Sequence, residues 1–254
     1  MLVKSNEKVG PGIYKMVFKT EKNPTGKPGQ FIHLKINNAS YDPLLRRPFS
    51  IFDINKKEKS LTIIYKICGR GTRLMKDIKK GDEVDILENL GNGFNLNNKN
   101  KKIVLIGGGT GIAPLYLLTK KLYKKNKLMV LLGAKNKQEL DFMNNKFSKL
   151  DVKVYKATID NSLGFKGTVV DLLKELIKGK QEIDYMYGCG PTAMLRELKE
   201  IAINKNIKAE VSLEERMGCG VGVCLSCTVK TVNGNMRACK EGPVFPLKEV
   251  IFSE

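Results

Sequence analysis

Histidine is almost missing from this chain: His33 is the only one in 254 residues. That argues against zinc sites built on a histidine pair, and it leaves no nearby histidine to activate Cys189 as a nucleophile. Long apolar runs are missing too. The most apolar stretch, residues 103–118, is interrupted by glycines and falls short of the about 20 residues that span a bilayer. The opening Met-Leu-Val-Lys-Ser-Asn-Glu-Lys lacks the apolar core of a signal peptide, so a cytoplasmic protein with reduced thiols is expected. Acidic side chains are scarce, 26 against 45 Lys and Arg, which gives a net charge of +19. The lysines are spread from end to end among asparagines, with no basic helix and no interleaving of basic and aromatic residues. Nucleic acid is therefore not an expected partner, and at most a weak preference for acidic surfaces follows.

What is present is the composition of a soluble globular protein, 42% hydrophobic and 28% charged, long enough for two domains and a small appendage. Up to residue 97 the pattern is that of short strands, at Ile13–Lys19, 30–36, 48–53, 60–67 and 83–90, separated by turn clusters such as Asn23-Pro24-Thr25-Gly26. One short helix is expected over 72–78. Repeated short strands of this kind suggest an antiparallel β-barrel. Residues 91–102, rich in asparagine, read as a linker. Beyond them strands at 103–106, 128–132, 152–157, 185–187 and 209–211 alternate with helices at 113–125, 138–148, Val169–Lys178 and 191–204. Alternation implies a doubly wound parallel α/β domain. Residues 214–254 are too few to fold well alone and would need a staple.

Two strand-to-helix turns fall in the α/β region, Gly107-Gly108-Gly109-Thr110-Gly111 and Gly188-Cys189-Gly190-Pro191. Amides at the start of a helix favour phosphate. The first turn lacks the Gly-Lys-Ser/Thr of a P-loop and does not satisfy Gly-x-Gly-x-x-Gly, and Gly133-Ala134-Lys135-Asn136 stands where an acidic ribose ligand is expected. Lys135 and Lys137 leave a 2′-phosphate admissible. A tight structural turn and a binding loop both remain open for the glycines taken alone. In the barrel region Arg46-Arg47-Pro48-Phe49-Ser50 sets guanidinium groups, suited to bidentate phosphate contact, beside an apolar strand. An ordinary strand edge is the alternative there. Cys68 reads as a small core residue.

Chemistry is most specific near the C-terminus. Cys219, Cys224 and Cys227 are separated by four and two residues, and Cys239 follows after eleven more. This is the Cys-x4-Cys-x2-Cys…Cys spacing of a plant-type [2Fe–2S] cluster, whose irons take soft thiolate ligands. Glycines at 218, 220 and 222 allow the loop to close on such a group. Zinc is disfavoured because there is only one Cys-x2-Cys pair, and a disulfide framework because no secreted context is present.

Together with Pro28-Gly29-Gln30-Phe31, Arg47–Ser50, Gly69-Arg70-Gly71-Thr72, 107–114 and Cys189-Gly190-Pro191, these residues resemble the ferredoxin-reductase-like flavoproteins. The run from Glu214-Glu215-Arg216-Met217 through the cysteines to Gly242-Pro243-Val244-Phe245 narrows the resemblance to the electron-transfer subunits of type B dihydroorotate dehydrogenases. That resemblance implies a FAD-binding β-barrel over 1–97, a NAD-binding domain over 98–213 and a [2Fe–2S] domain over 214–254. It implies Arg47, Pro48, Phe49, Ser50, Ile64, Tyr65, Lys66, Gly71 and Thr72 around FAD, and Gly109, Thr110, Gly111, Cys189, Gly190 and Pro191 around NAD(H). It implies Cys219, Cys224, Cys227 and Cys239 as cluster ligands, with no acid–base residue. The implied partner is an FMN-containing catalytic subunit, in a heterotetramer of two plus two serving pyrimidine biosynthesis. Two other classes stay open. Flavin subunits of NADH-dependent ferredoxin:NADP oxidoreductases and of sulfide dehydrogenases look alike throughout but commonly carry aspartate at the first cluster position, where this chain has Cys219. A non-enzymatic redox-sensing regulator is the other.

Overall fold

The computed structural model describes residues 1–36 and 42–252. The N-terminal half builds an antiparallel sheet from β1 (Leu2–Gly10), β2 (Ile13–Lys19), β3 (Phe31–Leu34), β4 (Arg47–Asn55), β5 (Ser60–Lys66) and β6 (Ile86–Leu90), with α1 (Arg70–Met75) between the last two. Its order is β1-β2-β5-β4-β3-β6. The amide of Val3 donates to Asp82 O and that of Val84 to Met1 O, each at 2.9 Å, so the chain ahead of β6 returns to β1 and the sheet curls on itself. Met16, Phe18, Ile32, Ile51, Leu61 and Ile63 fill the inside. Strand β1 carries Lys, Ser, Asn and Glu and has no apolar alternation. It forms because β2 pairs with it from Leu2–Lys19 to Gly10–Ile13. Helix α1 starts before the expected residue 72, because Thr72 Oγ1 accepts from the amides of Cys68 and Gly69 and fixes the preceding turn.

A second sheet follows: β7 (Lys102–Gly108), β8 (Lys127–Ala134), β9 (Lys153–Thr158), β10 (Phe165–Lys166), β11 (Tyr185–Cys189) and β12 (Lys208–Ser212). Between them run α2 (Ala113–Leu122), α3 (Lys137–Phe147), α4 (Val169–Lys178) and α5 (Thr192–Asn204). The strands are parallel and lie in the order β10-β9-β8-β7-β11-β12. Helices α2 and α3 cover one face, α4 and α5 the other. The C-terminal segment contributes the hairpin β13 (Thr228–Thr231) and β14 (Gly234–Arg237), then β15 (Val244–Pro246). Strand β15 joins β12 antiparallel, so the cysteine segment is anchored in the nucleotide sheet rather than hanging from it.

The asparagine-rich stretch at 91–102 is a seam. Phe94 is buried edge-on against Tyr187, with ring centroids 5.5 Å apart. Tyr187 donates its hydroxyl to Asn95 O at 2.6 Å, and Glu210 accepts from the Asn95 amide at 2.9 Å. Across the same seam Phe52 of β4 stacks on Tyr116 of α2 at 4.6 Å, and Lys120 pairs with Asp53 at 2.6 Å. A stacked aromatic pair adds about 1 kcal/mol beyond its buried area, which helps fix the two sheets relative to each other.

Candidate functional site

Strands β4 and β5 run side by side where the curled sheet meets the second one. They wall a crevice of about 440 Å³ with Pro48, Phe49, Ser50, Ile64, Tyr65 and Lys66, joined by Phe31 and Thr72. Tyr65 stacks on Tyr14 at 5.4 Å, and its hydroxyl donates to Asn6 Oδ1 at 3.0 Å. Burial pushes its pKa up, so the phenol stays neutral. Asn6 in turn donates to the carbonyls of Met75 and Ile78, tying the crevice wall to the end of α1. Arg47 and Gly71, expected at the flavin, are not among the residues that line this crevice, but they lie against each other. A Cβ on Gly71 would lie 2.6 Å from Ile36 Cδ1 and 3.3 Å from Arg47 Nε, so the turn into α1 approaches the guanidinium as only glycine can. Arg47 also donates to Leu45 O, while Arg46 turns away to pair with Asp85.

The second crevice, about 450 Å³, opens at the carboxyl ends of β7, β8 and β11. Gly109, Thr110, Gly111, Gly190 and Pro191 line it, as do Lys135, Glu139 and Met194. Residues Cys189 and Gly107 are register partners, so the two turns lie side by side. Cys189 itself packs into the core at 1% exposure. Burial, then the Glu214 charge, pushes its thiol pKa far up, and no thiolate forms there. Lys66, Thr110 and Glu214 line both crevices, which therefore share a wall. Crowding by protein raises the Glu214 and Glu215 carboxyls. Glu139 is held low by Lys66, whose Nζ bonds its Oε1 at 2.8 Å. Cys68, expected in the core, is exposed in the turn before α1, because that turn is pinned by Thr72 rather than by packing of the thiol.

All four C-terminal cysteines are free thiols. Positive φ at Gly220 and Gly222, +73° and +87°, curls the loop so that its amides face inward. Cys219 Sγ accepts from the amides of Val221, Val223 and Cys224 at 3.3–3.5 Å. Those donors stabilise the thiolate and lower its pKa to about 6. Cys224 Sγ takes the Cys219 amide at 3.4 Å. Cys227 and Cys239 form a second pair, and both are buried. Burial, with Cys227 alongside, pushes Cys239 up to about 12 when no metal is bound. Among the described residues no three His, Cys, Asp or Glu side chains are arranged to hold a single metal ion. Two thiol pairs, one rich in amide donors, fit instead the two-iron cluster, which takes two thiolates per iron. Around the outer pair Val221, Val223 and Leu225 are exposed, Val223 by 78%.

Sequence reasoning missed Glu139, Ser212, Glu214, Glu215 and Met217 as lining residues. For all but Glu139, the one hint was their place at the end of the last strand and just ahead of the cysteines. It also passed over His33, fully buried in β3 against the cysteine loop. Burial lowers its pKa below the usual value, leaving a neutral imidazole.

Residues 214–251 match the iron-sulfur cluster binding domain of dihydroorotate dehydrogenase B, and residues 105–200 the oxidoreductase NAD-binding domain. The dihydroorotate dehydrogenase B (NAD(+)) electron transfer subunit of Desulforamulus reducens is 39% identical over 250 residues, covering 96% of this chain and 94% of that one. The subunit of the same name from Bacillus velezensis is 39% identical over 258 residues, covering 98% and 97%. Among solved structures, that of an NADH-dependent reduced ferredoxin-NADP oxidoreductase superposes with a TM-score of 0.86 at 26% identity, over 98% of this chain and 89% of that one. Phthalate dioxygenase reductase shares the fold, with a TM-score of 0.64 at 17% identity over 91% and 85%.

Proposed function

The chain belongs to the family of dihydroorotate dehydrogenase B (NAD(+)) electron transfer subunits, and we propose that it carries electrons from a dihydroorotate-oxidising FMN subunit, by way of a [2Fe–2S] cluster and FAD, to NAD. The observation that carries this reading is the meeting of two crevices along Lys66, Thr110 and Glu214, with the cysteine loop following directly from Glu214 in the chain. Bound flavin supplies the conversion between single electrons and hydride. The chain's own residues do the rest by placement. We assign residues 1–97 to FAD, 98–213 to NAD and 214–254 to the cluster, whose ligands are Cys219, Cys224, Cys227 and Cys239. Pro48, Phe49, Ser50, Ile64 and Tyr65 hold the flavin ring system and exclude water from it. Arg47, with the turn at Gly71 and Thr72, takes phosphate. Gly109, Thr110, Gly111, Gly190 and Pro191 seat the nicotinamide nucleotide, and Lys66 borders both. Cys189 contributes its backbone. Assembly as two plus two subunits and a cytoplasmic location belong to the same proposal; no helix among the described residues is long and apolar enough to cross a membrane.

The ferredoxin:NADP reading rests on a structural likeness with a TM-score of 0.86 at 26% identity, below the 39% of the dihydroorotate relative. Cys219, in the place where that class commonly has aspartate, favours the dihydroorotate reading. Co-purification with an FMN subunit followed by an assay of dihydroorotate-dependent NAD reduction tests it. Steady NADH formation is the expected result. A complex that reduces dyes with NADH yet forms no NADH from dihydroorotate would sink it.

Arg47→Ala is expected to weaken FAD retention by about 10- to 150-fold, the worth of a charge-assisted phosphate contact of about 1.5–3 kcal/mol. Flavin content after dialysis reads this directly. Undiminished flavin would mean Arg47 only braces the turn through Leu45 O.

A further inference from the structure

His33 is wholly buried, and neither Nδ1 nor Nε2 has a hydrogen-bond partner. Leaving a buried polar group unsatisfied is destabilising, and a leucine would fill the space without that penalty. The imidazole is thus an expensive occupant of an apolar strand unless something completes it. Its place says what. In β3 it is paired with Pro48 on one side, which has no N–H, and with Leu87 on the other. Its ring is packed directly under Gly220 of the cysteine loop: a Cβ on Gly220 would overlap Nδ1 and sit 3.1 Å from both Cγ and Cε1. Gly220 follows Cys219, and backbone acceptors of Arg46 and Cys219 lie close enough to the ring to favour its protonated form, though neither meets hydrogen-bond geometry. Two residues earlier in the strand, on the same side by the period of two, Phe31 lines the first crevice. One short strand therefore touches the flavin crevice and the cysteine loop.

We propose that His33 is a positioning residue for the cluster loop: it holds the Cys219–Gly220 segment on β3 and supplies, through its ring N–H, a hydrogen bond that the loaded loop accepts at Cys219. The inference rests on the proposal that this loop holds the cluster. Gly220 is then required for two reasons, its positive φ and the ring beneath it. A donor directed at the cluster's ligand loop favours the more negative, reduced form, so its removal lowers the reduction potential.

The test is an anaerobic redox titration of the flavin- and cluster-loaded full chain, followed by EPR, on wild type, His33→Leu, His33→Asn and Gly220→Ala. Asparagine can place an amide N–H near the position of Nδ1; leucine cannot. The expected result for His33→Leu is an altered g-tensor and a shift of about tenfold in the cluster's one-electron equilibrium, about 59 mV downward. His33→Asn should recover most of that shift. Gly220→Ala, which disturbs the contact from the loop side, should move the potential in the same direction, and it gives the answer if His33→Leu does not fold. Coincident potentials and spectra for wild type and both His33→Leu and Gly220→Ala would overturn the inference and leave His33 as core filler. A wild-type protein without any cluster signal would instead overturn the underlying assignment of the loop.

Discussion

Cys219→Ser should reduce electron transfer between NADH and the FMN subunit by at least ~100-fold while most of the NADH-driven dye reduction by the flavin survives. The expectation follows from where the four thiols sit. Cys219 and Cys224 lie on the outer lip, whereas Cys227 and Cys239 are 2% and 3% exposed and belong to the packed core under β13. Replacing an outer ligand removes a soft thiolate that three amides have been arranged to stabilise. It removes almost no apolar contact. Neither nucleotide crevice is lined by a cysteine of this loop, so the path from NADH to flavin keeps its walls. The inner pair should behave differently. Cys239→Ser puts a more polar hydroxyl into a buried site, so a lowered melting temperature is expected along with loss of the cluster. The check is parallel assay of dye reduction and partner-coupled transfer, with melting curves for both variants. Loss of dye reduction in Cys219→Ser would show that the loop holds the fold rather than carrying electrons.

What the sequence disclosed and what it hid follow a physical division. The cysteine spacing and the paired glycine turns are local, and local constraints leave local marks: Gly111 and Gly190 are needed where two backbones meet, whatever surrounds them. The alternation of β7, β8, β9, β11 and β12 with α2 to α5 was legible for the same reason, since a buried parallel strand is a short apolar run, whereas the two-residue β10 is too short to leave one. Residues whose role depends on distant partners were not legible. Strand β1 is polar and becomes a strand only through β2. Glu139 is an ordinary helix carboxylate until Lys66, 73 residues earlier, reaches across the seam to it. Glu214 and Glu215 follow a strand like any surface pair, and only the fold turns them onto crevices. Strand β15 joining β12 pins the cysteine segment to the nucleotide sheet, a pairing across more than thirty residues that no periodicity announces. His33 belongs to this class too, a lone imidazole whose meaning lies in Gly220.

The nucleotide crevice offers the other severe test, Gly111→Ala. A methyl group there would lie 2.5 Å from Cys189 O and 2.6 Å from Gly190 N, and both are backbone atoms. No side chain can swing aside, so the first turn must retreat from the second. The turns are held in fixed relation by the β7–β11 register, in which Cys189 faces Gly107, so retreat distorts the edge of a packed parallel sheet. Gly109 makes the useful contrast. It lines the same crevice, but its Cβ direction is open, and only its φ of +57° resists substitution. If the paired turns seat the nicotinamide nucleotide, Gly111→Ala should weaken NADH binding by about 100-fold, about 2.7 kcal/mol. Gly109→Ala should cost only the about 1–2 kcal/mol of a left-handed alanine. FAD content should stay near wild type in both, because Gly111 does not line the flavin crevice. Stopped-flow reduction of the bound flavin at varied NADH concentration separates binding from chemistry. Equal NADH affinity in wild type and Gly111→Ala would mean that the nucleotide lies elsewhere along the carboxyl edge of the sheet and that the close approach of the two turns serves packing alone.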